Sequence, residues 1–422
     1  MAKVLRYSLD FGTSNTLLGA VTELGSVTSI PLDFSNSNTH MMKSLIYSPS
    51  EHEWYFGNEC YDKYLEREGS GRFFRSFKTL LSRESFEGTM IHGKKVSIEE
   101  IVGRFLREVR HRANSFYQQD VTAVKVGRPV RFGDTERSDE VALKRLSRAL
   151  ELAGFTDIEF EYEPVAAAKG FSKEIQNDKT ILVADLGGGT SDFSVVKFKN
   201  GKLNKEDILA VSGVNKAGDS FDYSLMKSFI MPELGSQVKY KKSMSGIEHG
   251  ISRTLLSKLC SPAIFSLIND SQIEGYIEDA MENLETNSDI LKLKNLEGLF
   301  EEKLGFDLMK EVEKCKIDLS NLAERELNYS KRGVRINKNL EQKTYFDSSV
   351  FVLRDIVDAI DNVLEKSNLN TSDIDMVMCT GGSVQNPLVM KEIVEKFGEM
   401  KVMTERVHDC VVKGLLDSVE KR

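Results

Sequence analysis

Val183-Ala184-Asp185-Leu186-Gly187-Gly188-Gly189-Thr190-Ser191-Asp192 is the stretch on which the fold turns. It enters as a short apolar run, Thr180 to Ala184, of the kind that forms a buried strand. It continues with a carboxylate, three glycines, a hydroxyl pair and a second carboxylate. Consecutive glycines let the backbone come close to a ligand and turn several N–H groups the same way, which suits phosphate oxygens. Carboxylates beside phosphate repel it unless a cation stands between them, and Mg2+ is the expected one. A plain glycine-rich hairpin would read the same from this segment alone. A second copy separates the two readings. Near the N-terminus the chain runs Tyr7-Ser8-Leu9-Asp10-Phe11-Gly12-Thr13-Ser14-Asn15-Thr16, again strand, Asp, Gly and a hydroxyl pair. Two such turns in separate halves predict a duplicated fold closing on a nucleotide from both sides.

The bulk composition bounds the rest. A chain of 422 residues holds two to three domains with ample core. Its 40% hydrophobic and 29% charged content is that of an ordinary globular protein. A net charge of −8 argues against nucleic acid as a partner, which needs a basic face. Cys60, Cys260, Cys315, Cys379 and Cys410 are scattered, with no C-x-x-C and no spacing to a His pair. That fits a reducing, cytoplasmic setting and no structural zinc. No basic-apolar-small leader opens the chain, and no apolar run approaches the ~18–20 residues of a span, so no membrane partner is expected.

Along the chain, residues 1–35 read as paired strands with Gly12, Gly19 and Gly25 at bends. Residues 38–100 are irregular and read as an insert apart from the sheet. Ile98 to Phe116 is an amphipathic helix with Ile98, Ile101, Val102, Phe105, Val109 and Phe116 on one face. Its arginines, Arg104, Arg107, Arg110 and Arg112, read as the solvated face opposite. A strand at Thr122–Gly127, a helix from Asp139 to Ala153 closed by Gly154, and a strand at Ile158–Tyr162 follow. In the second half a largely helical insert, 223–322, comes after the glycine-rich turn. Strands return at Tyr329–Ile336, then a helix at Val350–Leu364, with Val350, Leu353, Val357, Ile360 and Leu364 as its stripe. A strand at Met376–Cys379, a helix at Pro387–Phe397 and a short helix after Asp409 close the chain. Mixed order in two halves, each with an insert, argues for two α/β lobes around a cleft.

Three further segments suit a nucleotide held by the two turns. In Glu163-Pro164-Val165-Ala166-Ala167-Ala168 a proline starts a helix and sets a carboxylate at its N-terminus, where Glu163 either caps the helix or orients water. Cys379-Thr380-Gly381-Gly382-Ser383-Val384-Gln385-Asn386-Pro387 ends a strand in glycines that let a flat ligand such as adenosine lie on the backbone. In the helix around Glu311–Ser320, Val312, Cys315, Leu319 and Leu322 make a buried stripe. Glu313, Lys316 and Ser320 share another face, which by itself reads as a surface salt-bridge face. Gly88-Thr89-Met90-Ile91-His92-Gly93-Lys94-Lys95 nearly spells a Walker A loop, but the Mg2+-binding hydroxyl and the preceding strand are missing.

In this order the segments resemble the actin-like ATPase superfamily, and within it the nucleotide-binding domain of the 70-kDa heat-shock protein family. The short YegD-type members look nearest, and the resemblance covers nearly the whole chain. Asp10–Asn15 and Asp185–Asp192 are similar to the family's two phosphate loops, Val126–Val130 to its proline switch and Glu161–Ala168 to its hinge. Lys78 falls at the family's catalytic lysine, Glu313–Ser320 at its ribose and adenine helix, and Gly381-Gly382-Ser383 at its adenosine motif.

The resemblance implies an α/β, duplicated actin-like ATPase fold with two lobes around a nucleotide cleft, each with an inserted subdomain. Lobe I would be residues 1–172, with an insert near 38–100. Lobe II would be 173–407, with a mostly helical insert near 223–322, and 408–422 would be a helix returning to lobe I. It implies slow hydrolysis of Mg2+·ATP to ADP and phosphate. Asp10 and Asp185 would hold the metal through water, and Gly12, Thr13, Ser14, Gly187, Gly188, Gly189 and Thr190 would cradle phosphate. Lys78 would neutralise the γ-phosphoryl group, and Glu163 and Asp192 would position water or a monovalent ion such as K+. Gly218, Glu313, Lys316, Ser320, Gly381, Gly382 and Ser383 would complete the adenine nucleotide site. A protein partner or client goes with a nucleotide-driven switch of chaperone type. An actin-like filament subunit and a small-molecule kinase are the alternatives.

Three departures stand out. Ile317 and Gln385 occupy positions where the family sandwiches adenine between arginines. Each cation–π contact is worth roughly 0.5–2 kcal/mol. Losing both costs about 1–4 kcal/mol, a five-fold to thousand-fold loss of affinity. His408 stands where an acidic residue is usual. By the resemblance the ATPase fold would end near Arg422, so the family's peptide-holding β-sandwich is not expected within these 422 residues.

Overall fold

The computed structural model describes residues 2–25, 27–172, 175, 177–200, 202–241, 247–265, 270–284, 286–404 and 409–416. His408 lies outside them. The chain forms two compact units. One consists of Met1–Lys63, Phe74–Gly218 and Val352–Arg422, the other of Tyr64–Phe73 and Asp219–Phe351.

The first unit holds two sheets of the same design. Strands β1 (Val4–Phe11), β2 (Asn15–Thr22), β3 (Val27–Ser29), β4 (Met41–Lys43), β5 (Ala123–Arg128) and β6 (Asp157–Tyr162) form one. Strands β7 (Lys179–Leu186), β8 (Ser191–Phe198), β9 (Ile208–Val214), β10 (Met376–Thr380) and β11 (Val402–Met403) form the other. The strand orders are β6-β5-β1-β2-β3 and β11-β10-β7-β8-β9. In each, an antiparallel meander comes first, and two later parallel strands add to the free side of its first strand. Equal order and equal pairing make this the duplicated α/β architecture of an actin-like ATPase. β4 also pairs with β2, so residues 41–43 extend the sheet rather than standing apart from it. Gly19 is mid-strand, paired with Ser8 and Ser29, and is not a bend.

Eight helices matter here: α1 (Ile98–Tyr117), α2 (Glu136–Leu152), α3 (Glu163–Phe171), α4 (Gly218–Leu225), α5 (Gly305–Leu319), α6 (Val350–Ser367), α7 (Pro387–Phe397) and α8 (Cys410–Leu416). α1 starts at a capping box, Ser97 with Glu100, and buries Ile98, Ile101, Val102, Phe105 and Val109. The odd residues of β1 meet it. Phe11 lies 5.8 Å from Phe105 between ring centres, and Tyr7 donates to Asn114 at 2.9 Å. Phe116, placed on that face from its spacing, is exposed. The arginines also divide differently. Arg104 and Arg107 are exposed, but Arg110 and Arg112 are half-buried and tie α1 to Val121, Leu32 and Glu59. Charge on a helix face opposite a stripe can still be structural when a neighbouring loop covers it.

α3 and α8 cross between the sheets. α3 packs with β7, β8 and β10, and α8 with β2, through Leu17 and Val21 against Val412 and Leu416. Their crossing is close because it is made of glycines. A Cβ on Gly414 would overlap the Ala166 carbonyl, and one on Gly170 would overlap the Cys410 carbonyl. In α6 the buried residues are Ile356, Ala359, Ile360, Val363 and Leu364, while Val350 is exposed. The near-Walker segment is a hairpin, Gly88–Ile91 with Lys94–Ser97, turning on His92 and Gly93 at φ +48° and +79°. That is a two-residue turn, not a phosphate loop.

In the second unit α5 buries Val312, Cys315 and Leu319, while Leu322, expected in that stripe, is exposed. The expected strands at Tyr329–Ile336 are a hairpin, Glu324–Lys331 with Val334–Glu341. Tyr64 and Phe73 pack on Phe306 at 5.1 and 3.9 Å between ring centres. Among the described residues no helix is long and apolar enough to cross a membrane. All five cysteines are buried and none is in a disulfide.

Candidate functional site

The two turns singled out in the sequence have the same backbone. In the first, Phe11 pairs with Thr16 and leaves Gly12–Asn15 as the loop, closed by Gly12 N–H to the Asn15 carbonyl at 3.0 Å. In the second, Leu186 pairs with Ser191 and leaves Gly187–Thr190, closed by Gly187 N–H to the Thr190 carbonyl at 3.0 Å. Each loop begins two residues after an aspartate, Asp10 or Asp185. Ser44 Oγ steadies the first by donating to the Gly12 carbonyl at 2.7 Å, and Ser383 Oγ the second by donating to the Gly187 carbonyl at 2.6 Å.

The loops also face each other. A Cβ on Gly188 would fall on Ser14 Oγ, and one on Gly189 would stand 2.5 Å from Thr13 Oγ1 and 3.0 Å from Thr79. Glycine is required here by close approach, not by a left-handed φ.

Beneath the loops lies a group of buried charges. Alternation along β1 and the register of β7 with β8 place Asp10 at the end of one strand and Asp185 directly across from Asp192. Lys78 follows Ser76, whose φ of +51° turns the chain into the short 3-10 turn Phe77–Leu80. Lys78 is only 6% exposed, lies near the rings of Phe11 and Phe132, and donates to Glu163 Oε1 at 2.8 Å. Glu163 is the first residue of α3, one position further into the helix than the sequence suggested, and is 6% exposed. Asp192 Oδ1 accepts the Val130 N–H at 2.6 Å, next to Pro129, and its Oδ2 is buried without a partner.

So many carboxylates around one ammonium shift each other. Burial and then Glu163 push Asp10 up to about 7, with Lys78 opposing. Burial and then Glu163 push Asp192 to about 8, against hydrogen bonds from Thr190 and Val130. Asp185 is raised well above an ordinary aspartate by burial, then by Glu163, Asp10 and Asp192. Burial pulls Lys78 down, but Glu163, Asp10 and Asp192 outweigh it and hold the ammonium above its ordinary value. Displaced carboxylates that share one cavity mark a functional site more often than a structural one.

Gly381 sits at φ +92° with its missing Cβ pointed at the Leu186 carbonyl, which brings the end of β10 against the second loop. Gly382 faces open space, and Gly218 lies 3.2 Å, by its missing Cβ, from Ser383 Oγ. Asn386 caps α7 through the Leu388 N–H at 3.0 Å. Asp10, Gly12, Thr13, Ser14, Lys78, Glu163, Asp185, Gly187–Thr190, Asp192, Gly218 and Gly381–Ser383 thus all belong to the first unit.

Glu313, Lys316 and Ser320 belong to the second unit, on α5. There Lys316 pairs with Asp222 of α4 at 2.9 Å, and Ser320 Oγ donates back to the Lys316 carbonyl at 3.2 Å. Burial lowers the Lys316 ammonium, and Asp222, Glu313 and Asp219 more than restore it. The bland surface reading of this face does not hold for Lys316, which is mostly buried. Sequence reasoning missed Asp222, the Val130 N–H and Phe132. The repeat of acidic residues at Asp219 and Asp222 was the one visible signal; the other two depend on tertiary packing.

A family model described as Hsp70 protein matches residues 75–263 and 280–414. The chain is similar to chaperone protein dnaK of Gracilaria tenuistipitata var. liui, 23% identical over 313 residues, covering 72% of this chain and 40% of that protein. It is similar to heat shock protein 70 homolog of Acanthamoeba polyphaga mimivirus, 24% identical over 329 residues, covering 76% of this chain and 28% of that protein. The chain spans less than half the length of either relative.

Proposed function

The chain belongs to the Hsp70 protein family, and from that premise we propose that it binds Mg2+·ATP and hydrolyses it slowly, as a nucleotide-driven switch. The observation that carries this reading is the pair of equivalent loops, each two residues beyond an aspartate, with Gly188 and Gly189 seated against Ser14 and Thr13. The loop N–H groups of Gly12, Gly187, Gly188 and Gly189, with the Thr13, Ser14 and Thr190 hydroxyls, hold the β- and γ-phosphates. Lys78 balances charge that develops on the γ-phosphoryl, and Glu163 and Asp192 orient the attacking water or a monovalent ion such as K+. Gly218, Gly381, Gly382 and Ser383 support the nucleoside. Positioning and electrostatics suffice for this reaction, so no nucleophilic side chain is needed.

The residues fit a divalent cation. Asp10, Asp185, Asp192 and Glu163 present four carboxylates to the single ammonium of Lys78, and Asp192 Oδ2 has no partner. Among the described residues no three His, Cys, Asp or Glu side chains are close enough to ligate an ion directly. Asp10 and Asp185 would therefore hold Mg2+ through water, and the ion would supply the charge that lets phosphate and carboxylate share the site.

Lobe boundaries at 172 and 407, kinship with the short members of the family, a cytoplasmic setting and a protein client are parts of the same reading. Hydrolysis and binding measured on Lys78→Ala test its chemical core. Turnover should fall about 10²-fold or more while ATP affinity stays within a few-fold. Persistent turnover would overturn the assignment of Lys78. A pull-down in ATP against ADP tests the switch, ATP-dependent sedimentation a filament, and a sugar-stimulated ADP release a kinase.

A further inference from the structure

Below the loops, the same face of the first sheet carries a second polar group. Alternation puts Arg6 and Ser8 on the Asp10 face of β1. Lys125 of β5 lies directly across from Ser8, and Glu159 of β6 directly across from Lys125. Glu161 joins this row to α3, with Lys169 Nζ at 2.6 Å and Lys125 Nζ at 3.5 Å from its Oε2. Arg6 Nη1 donates to Glu159 Oε2 at 3.1 Å.

The donors left over are specific. Arg6 Nε and Nη2 are buried with no hydrogen-bond partner, and so is Ser8 Oγ, on a residue with 0% exposure. Nε–H and Nη2–H form the side-on edge of a guanidinium, whose parallel donors match two oxygens of one carboxylate or phosphate. Three cations, Arg6, Lys125 and Lys169, stand against two carboxylates, Glu159 and Glu161. Glu159 is more than half exposed, so the row opens to solvent at that end. Arg6 is four residues from Asp10, about 13 Å along the strand, too far to share a ligand with the loops.

We propose that Arg6 and Ser8 form a binding site for a small oxyanion, received side-on by the guanidinium, with the Ser8 hydroxyl as third donor and Lys125 and Lys169 as surrounding charge. The surroundings agree with this. Burial, then Lys169 and Arg6 as neighbouring cations, hold the Lys125 ammonium below its ordinary value despite Glu161. The site is independent of the ATPase reading and stands if that reading fails.

Thermal denaturation of the full chain, titrated with sodium phosphate or sodium acetate against chloride at matched ionic strength, tests it. Phosphate or acetate should raise the midpoint by about 1–3 °C near saturation. The rise should vanish in Arg6→Gln and in Ser8→Ala, and persist in Lys78→Ala, whose lesion is in the loop site. A response to acetate as well as phosphate identifies a carboxylate ligand, and a response to phosphate alone a phosphate. No rise in the unmodified chain, a rise that survives both Arg6→Gln and Ser8→Ala, or one lost in Lys78→Ala would each overturn the proposal. Should Arg6→Gln fail to fold, Ser8→Ala, which removes one hydroxyl, decides alone.

Discussion

Lys78 is held by Glu163 at 2.8 Å inside a ring of aspartates, and that ring gives the protein a pH dependence with a definite sign. In the unfolded chain Asp10 and Asp192 release their protons near 3.8, but in the fold they keep them to about 7 and about 8. Between those values the folded state binds more protons than the unfolded state, so stability falls as pH rises. The contribution is intact below about pH 4 and is lost progressively up to about pH 8. The raised Lys78 acts only near its own, more alkaline range and leaves this window unchanged. The nucleotide-free protein should therefore melt at a lower temperature at pH 8 than at pH 5.5, and Asp192→Asn should flatten that slope. A melting temperature that rises over this interval would contradict the raised aspartates. The aspartates and glycines of this site were legible because backbone chemistry demands those residue types. The Val130 N–H and the Phe132 ring were not, since any residue but proline supplies an N–H and a phenylalanine reads first as core.

At the scale of elements, two close approaches dominate. Gly189 meets Thr13 and Thr79 with no room for a methyl group, so Gly189→Ala should weaken phosphate binding at least 10-fold by calorimetry and cost stability at the lower end of the about 1–3 kcal/mol typical of overpacking. Gly414 meets the backbone of Ala166, which cannot rotate aside, so Gly414→Ala must part α3 from α8. Its cost should sit at the upper end of the about 1–3 kcal/mol typical of overpacking, read as a fall in the denaturant midpoint. Strands and caps were largely legible at this scale. Glu163–Phe171 and Pro387–Phe397 follow from a leading proline, and Ile98–Tyr117 from its 3.6-residue period. The misreadings share a cause. Arg110, Arg112 and Gly19 were judged by local pattern, and a covering loop or a neighbouring strand decided each.

For the whole molecule, the matching strand orders of the two sheets bear on ligand response. Added Mg2+ and ADP should raise the melting temperature more at pH 8 than at pH 5.5, because cation binding removes the repulsion that alkaline pH exposes. Base selectivity is also a property of the assembled chain. Ile317 is 54% exposed and Gln385 is exposed, and neither carries the guanidinium found where the resemblance would have it. Competition calorimetry should find ATP favoured over GTP by less than about 10-fold. Sub-micromolar ATP binding with strong rejection of GTP would contradict this. The duplication itself was legible from the repeated Asp-x-Gly turns. The membership of the compact units was not, because Tyr64–Phe73 leaves its sequence neighbours to pack on Phe306.

The strand order also has a consequence for how the chain is made. β7 is complete early in synthesis, but its parallel neighbour β10 and the crossing helix α8 are translated only after the long stretch beyond Gly218. Those roughly 160 residues occupy a ribosome for about 8–30 s at ordinary elongation rates. Throughout that interval Val411 and Leu415, which share a core cluster with Ile181, Val183 and the α3 alanines in the finished fold, have not yet been made. The emerging polypeptide is thus itself a substrate for whatever shields nascent chains, and its ligand can capture only the finished fold.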